Sequence, residues 1–210
     1  MKIIPAILTE DFSTLKDMIE LSATFTNHVQ VDVMDGKFVP SISITASDLD
    51  NANAKKLFME IHLMVDRPSD VIEDFVKAGA KKIIFHIESK EDPHEIINTI
   101  KKYKVIPSVA INPDTKIEKL DTIIDEIDSI LFMTVFPGFY GSPLVPEVFE
   151  KIKKFKSKHP NIEIAVDGGV KVSNIDDFKK YPIDAICVGS AIFKAKNPKD
   201  IFIMLQEKTN

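Results

Sequence analysis

Residues 58–87 read FMEIHLMVDRPSDVIEDFVKAGAKKIIFHI, and the alternation inside this stretch decides the fold. Phe58–Leu63 and Lys82–Ile87 are short apolar runs of the kind that become strands buried on both faces. Between them Val71, Phe75 and Ala78 recur at helical spacing. Ser69 stands where a helix start is expected, and Ala78-Gly79-Ala80 where a helix stops ahead of the next strand. Strand, helix and strand in this order make one β/α unit, the crossover that a parallel pair of strands requires.

The same alternation extends in both directions to the ends of the chain. Further β-type runs are Ile3–Leu8, His28–Val33, Val105–Ile111, Ser129–Val135, Ile162–Val166 and Asp184–Val188, which brings the total to eight. Ser173 with Asp176 has the spacing of a capping box, and Asn197-Pro198 reads as N-cap and first helical position. Eight units in 210 residues average about 26 residues each, near the lower size limit of a (β/α)8 TIM barrel. The expected fold is therefore α/β, a (β/α)8 barrel in one domain over residues 1–210. A doubly wound open sheet is the competitor, because alternation alone cannot close a barrel.

Composition narrows the function classes. Hydrophobic residues make up 44% and charged residues 28%, ordinary for a globular chain and too apolar for a disordered one. Net charge is −5 and lysines are interspersed with acids, which argues against nucleic-acid binding. No apolar run approaches the roughly 18 residues of a membrane span. Met1-Lys2-Ile3-Ile4-Pro5 lacks the apolar stretch of a signal peptide. The single cysteine, Cys187, excludes a disulfide scaffold and a cysteine-based zinc site; it fits a reducing cytosol, so a cytoplasmic location is expected. Only seven glycines are present, about half the usual share, so their positions carry information.

Both candidate architectures place ligands at the C-terminal ends of the strands. In the second run His28, Gln30, Asp32 and Met34 share one face and the valines the other. A carboxylate inside a valine run is costly to bury unless it is paired or binds a metal. The third run places Glu60, His62 and Met64 on a common face, and the seventh ends at Asp167. Asp32, His62 and Asp167 can thus meet at one mouth, where they would suit a divalent metal or supply an acid/base pair. His86, at the end of the fourth run, is either a lining residue or a support behind it. His28 lies deeper and reads as a satisfied interior group. Met34, Met64 and Met133 fall at run ends, where they would either pack the core or give a small ligand a flexible apolar floor.

Glycine recurs after the last three runs, in Pro137-Gly138-Phe139-Tyr140-Gly141, Asp167-Gly168-Gly169 and Gly189-Ser190. Backbone N–H groups in such loops can approach an anion, and the loops after strands seven and eight of a barrel are the usual phosphate site. A small phosphorylated compound is the expected ligand.

Five segments, in order between about Pro5 and Phe193, together resemble the ribulose-phosphate 3-epimerase family. They are Val31-Asp32-Val33-Met34-Asp35-Gly36-Lys37-Phe38-Val39-Pro40, Ile61-His62-Leu63-Met64-Val65, Met133-Thr134-Val135-Phe136-Pro137-Gly138-Phe139, Val166-Asp167-Gly168-Gly169 and Gly189-Ser190-Ala191-Ile192-Phe193. The resemblance implies a (β/α)8 barrel that interconverts D-ribulose 5-phosphate and D-xylulose 5-phosphate. It also implies one divalent metal, commonly zinc or iron(II), held by two histidines and two aspartates. Asp32 and Asp167 correspond to metal ligands that are also the acid/base groups, and His62 to a ligand that also faces the substrate. Gly138, Phe139, Tyr140, Gly141, Gly168, Gly169, Gly189 and Ser190 correspond to the phosphate side. One aspartate would remove the proton at C3 and the other return it to the opposite face. Met34, Met64 and Met133 would floor the planar intermediate.

The departures from the family pattern are specific. The first histidine ligand falls at Gln30, whose amide oxygen can coordinate but is a weaker donor than imidazole. An early serine falls at Ala6, a glycine at Thr45, and loop positions at Phe136, Tyr140 and Ser142. These leave two alternatives: an epimerase for another ketose phosphate such as a hexulose 6-phosphate, or a metal-poor, non-catalytic phosphosugar-binding relative. A decarboxylase or aldolase of the sister barrels is disfavoured, because Met34 stands where those patterns have lysine. The resemblance also suggests a homo-oligomer, a dimer or a hexamer.

Overall fold

The computed structural model describes residues 1–138 and 141–209, and there the alternation folds as a closed parallel barrel. The strands are β1 (Lys2–Ile7), β2 (His28–Met34), β3 (Phe58–Met64), β4 (Lys82–His86), β5 (Ile106–Ile111), β6 (Ser129–Met133), β7 (Glu163–Asp167) and β8 (Ala185–Val188). They pair in sequence order, and β8 returns to β1 from Lys2↔Ala185 to Pro5↔Val188. That last ladder removes the open-sheet alternative. The helices are α1 (Phe12–Ser22), α2 (Ala46–Asn51), α3 (Ile72–Lys77), α4 (Pro93–Lys102), α5 (Glu147–Lys158), α6 (Ile175–Phe178), α7 (Ser190–Phe193) and α8 (Pro198–Thr209).

Strand alternation sorts the side chains into two regions. Val29, Val31 and Val33 of β2 face outward and join the large apolar layer between barrel and helices, with Ile61, Ile83, Val109, Phe132 and Val166. Inside the barrel lies a smaller cluster in which Ala6, Ala110, Ala165, Ala185 and Cys187 are all compact. Those short side chains leave room for the long polar ones that β2, β3 and β4 send inward. At the lower end, Glu60 accepts from His28 Nε2 at 2.6 Å and faces Lys82 Nζ at 3.5 Å, while Lys2 bonds the other ring nitrogen of His28. Burial pushes the Glu60 carboxyl up, but His28 and Lys82 together hold it below the ordinary carboxylate range. His28 is thus a satisfied interior group.

Three local expectations need correction. The β5–β6 connection carries no α-helix, only 3-10 turns at Ile117–Leu120 and Ile124–Glu126. The reason is legible in hindsight: Ile117, Leu120 and Ile123, all buried, repeat every third residue, the period of a 3-10 helix. The Ser173/Asp176 capping box does not form. Asn174 orders that turn instead, accepting from Lys171 N–H at 2.7 Å and donating to the Gly169 carbonyl at 2.9 Å. Ser69 falls in a 3-10 turn ahead of α3 and caps nothing. A capping box does open α2, formed by Thr45 and Asp48. The stop at Gly79 holds, with Ala80 N–H bonding back to the Phe75 carbonyl, and α8 begins at Pro198.

Candidate active site

The upper rim is assembled by register. Asp32 of β2 lies beside His62 of β3, and Asp167 of β7 lies beside Cys187 of β8. Ala6 of β1 lies beside Gln30. Because Ala6 and Cys187 are small, Gln30 can reach across the rim to β7. Its amide nitrogen donates to Asp32 Oδ1 at 2.9 Å and to Asp167 Oδ2 at 2.6 Å. Its oxygen accepts from Cys187 Sγ at 3.0 Å. The amide is fully buried and satisfied on both atoms.

His62 Nδ1 lies 3.0 Å from Asp32 Oδ1 and 3.9 Å from Asp167 Oδ2. Donor atoms of Asp32, His62 and Asp167 lie within 4.8 Å of one another, and all three residues are buried. Here is a cluster able to chelate a divalent metal, with two oxygens and one nitrogen of the hardness that zinc or iron(II) accepts. Burial, reinforced by the charge of Asp32, pushes Asp167 up to about 7. Burial also raises the Cys187 thiol well above its ordinary value, so it donates to Gln30 as a neutral group.

Behind His62 stands a second layer. His62 Nε2 meets His86 Nε2 at 2.9 Å, and His86 Nδ1 meets Glu88 Oε2 at 3.1 Å. Burial holds the His86 imidazole down to about 4, so it is neutral at pH 7. Glu88, although burial raises it, is kept below the ordinary carboxylate range by the His86 hydrogen bond. Thr134 Oγ1 ties the end of β7 in place through the Asp167 and Gly168 carbonyls, at 2.9 and 2.7 Å. Ser43 does the same for β2, donating to the Asp32 carbonyl and accepting from Met34 N–H, both at 2.9 Å. Sequence reading missed Glu88, Thr134 and Ser43 as supports. For Glu88 the signal was available, since His86 and Glu88 are two residues apart at the end of β4.

A cleft opens over Asp32, His62 and Asp167, and Met64 and Met133 wall it. Met34 instead packs with Met64 and Val39 in a small apolar cluster beside it. Gly138, Gly141, Gly168 and Gly169 line the cleft, whereas Gly189 and Ser190 are not among its described lining residues. Phe139 and Tyr140 lie outside the described residues. Gly168 has a packing reason for being glycine as well: at φ +112°, a Cβ there would sit 2.4 Å from Val135 Cγ2.

Comparison with known proteins places the chain in a family. The model of the family described as "Ribulose-phosphate 3 epimerase family" matches residues 2–193. The cytoplasmic isoform of ribulose-phosphate 3-epimerase from Oryza sativa subsp. japonica is 35% identical, over 98% of this chain and 93% of the rice protein. The ribulose-phosphate 3-epimerase of Treponema pallidum is also 35% identical, covering 90% of this chain and 89% of its own. Among solved structures, KGPDC from Streptococcus mutans superposes with a TM-score of 0.75 over 99% of this chain and 96% of its own, at 13% identity. A 3-hexulose-6-phosphate synthase superposes at 0.73 over the full length of both chains, at 14% identity. Identities that low speak for the shared barrel alone. The near end-to-end sequence matches go further: the chain belongs to the ribulose-phosphate 3-epimerase family of isomerases.

Proposed function

We propose that the chain interconverts D-ribulose 5-phosphate and D-xylulose 5-phosphate by moving the proton at C3 between Asp32 and Asp167. The observation that carries this reading is the pair of carboxylates converging from β2 and β7 on one cleft, with Asp167 pushed up to about 7. At neutral pH Asp167 is a carboxylic acid in a large share of molecules and can serve as the proton donor, with Asp32 as the acceptor on the other side. The carboxylate takes the C3 proton, the C3–H electrons move into the C2–C3 bond, and the ketone oxygen takes up negative charge. The carboxylic acid then delivers its proton to the opposite face of C3, inverting that centre and regenerating a carboxylate on the other side. Met64 and Met133 offer the planar intermediate an apolar wall with no proton to donate.

The residues present fit a divalent cation. Asp32, His62 and Asp167 would hold it, and Gln30 would add its oxygen once the amide turns over, its nitrogen then facing Cys187. Zinc or iron(II) bound there supplies Lewis-acid stabilisation of the charge that develops on the substrate oxygens. Gly138, Gly141, Gly168 and Gly169, with Gly189 and Ser190 beyond them, take the phosphate through backbone N–H groups.

Incubation of the purified protein with zinc or iron(II) and ribulose 5-phosphate in deuterated water tests the reading. Deuterium is expected at C3 of the xylulose 5-phosphate formed. A protein that binds the sugar phosphate yet shows no exchange and no product with either metal is a non-catalytic binder, and the proposal fails.

A further inference from the structure

We propose that His86 and Glu88 are positioning residues for His62, forming a ring-to-ring-to-carboxylate relay that presents the bare Nδ1 of His62 to the two aspartates. The inference rests on the reading of the rim as a metal-assisted acid/base site. His62 and His86 are both wholly buried, with rings stacked at 5.1 Å and an interplanar angle of 26°. Phe38 packs against the His86 ring at 4.7 Å and limits its rotation. Glu88 is anchored from the far side, where its Oε1 accepts the Asn112 N–H at 2.8 Å. The relay therefore begins at a backbone donor just past the end of β5 and ends at the cleft.

Directionality does the rest. A carboxylate only accepts, so the hydrogen between His86 and Glu88 belongs to His86 Nδ1. With its one ring hydrogen held by Glu88, His86 turns Nε2 toward His62 Nε2 as the acceptor of that 2.9 Å contact, and His62 donates there. His62 Nδ1 is left with no hydrogen, 3.0 Å from Asp32 Oδ1 and 3.9 Å from Asp167 Oδ2. Three acceptors so close together demand something positive between them, a cation or a proton carried by an aspartate. Without the relay, Asp32 would draw the hydrogen of His62 to Nδ1 and turn a ligand into a mere hydrogen-bond donor. Support of this kind behind a ligating histidine typically changes metal affinity about 10–100-fold.

The test uses cobalt(II) as probe and the metal-free protein as reference. Nitrogen-15 NMR of histidine-labelled, metal-free protein should show His62 as the Nε2–H tautomer; a predominant Nδ1–H tautomer overturns the proposal. His86→Phe keeps a ring against Phe38 and removes both nitrogens. It should weaken cobalt(II) binding about 10–100-fold, as followed by visible absorption. Should His86→Phe fail to fold, Glu88→Gln keeps the shape, removes the charge, and should weaken cobalt(II) binding while mixing the His62 tautomers. Parental cobalt(II) affinity in whichever of the two folds overturns the relay. The outcomes separate from those of the proposed function: a parent with the Nε2–H tautomer and no C3 exchange sinks the epimerase alone, whereas exchange alongside an Nδ1–H tautomer sinks the relay alone.

Discussion

Replacing Gln30 by histidine should tighten zinc binding by about two orders of magnitude. The size follows from the hydrogen bonds that the amide makes. Its nitrogen holds Asp32 Oδ1 at 2.9 Å and Asp167 Oδ2 at 2.6 Å, and a cation would need those same oxygens. A hydrogen bond to a charged group contributes at least about 1.5 kcal/mol, so releasing both costs about 3 kcal/mol. At about 1.4 kcal/mol per tenfold in affinity, that amounts to roughly 100-fold. Turning the amide to offer its oxygen recovers part of this, yet gives a weaker donor than imidazole and breaks the Cys187 contact. A histidine at position 30 removes the competition and adds a better ligand, in the space that Ala6 leaves open. Competition for zinc against a chromophoric chelator at fixed pH measures the effect, with a thermal melt of the metal-free variant to show that the barrel is intact. A folded Gln30→His protein with parental or weaker zinc affinity would refute the reasoning, and would move residue 30 out of contact with the metal.

Other perturbations address separate links in the argument. Asp167→Asn should reduce turnover by at least about 100-fold, the low end of general acid/base contributions, while inorganic phosphate still binds; near-parental turnover would remove Asp167 from the proton path. The raised pKa of Asp167 makes it a group whose stabilising effect is complete below its ordinary value of 3.8 and is lost as pH rises through about 7. The melting temperature of the metal-free parent should therefore fall more steeply between pH 4 and 8 than that of Asp167→Asn, and parallel curves would contradict this. Glu60→Ala should cost about 3–5 kcal/mol in urea unfolding, because it leaves Lys82 buried without a counter-charge and the His28 Nε2–H without its acceptor; a loss under about 1 kcal/mol would mean the barrel floor hydrates freely. Gly168→Ala drives a methyl to within 2.4 Å of Val135 at positive φ, so a measurable drop in melting temperature is expected, and an unchanged melt would show that the β7 loop relaxes at little cost.

How much of this was legible before any coordinates depended on whether the deciding interaction was local. Eight strands could be read because each is buried on both faces and so has few polar residues to blur its ends. The closing ladder between β1 and β8 joins residues nearly the whole chain apart, and no local pattern encodes it. Asp32 and His62 stood out because a charge or an imidazole amid valine and leucine needs a reason to be there. Asp167 was visible at the same rim for a similar cause. The amide orientation of Gln30 was not legible, since it is set by partners on β2, β7 and β8 at once. Ser173 misled because a serine three residues ahead of an aspartate is a good cap in isolation, while its neighbour Asn174 had two closer backbone partners.

The missing helix between β5 and β6 leaves the barrel unevenly clad. Most crossovers shield the sheet with a helix whose own hydrogen bonds must break before water arrives. Here the cover is a pair of 3-10 turns, the second of which buries no residue. Protection against amide exchange should therefore be lowest on the strands beneath that cover, and opening should begin there rather than spread evenly around the circle. That sector is adjacent to Met133 and to the Asn112 anchor of Glu88, so the molecule would breathe beside the wall of its own cleft while the β2–β3 side, with Asp32 and His62, stays shut.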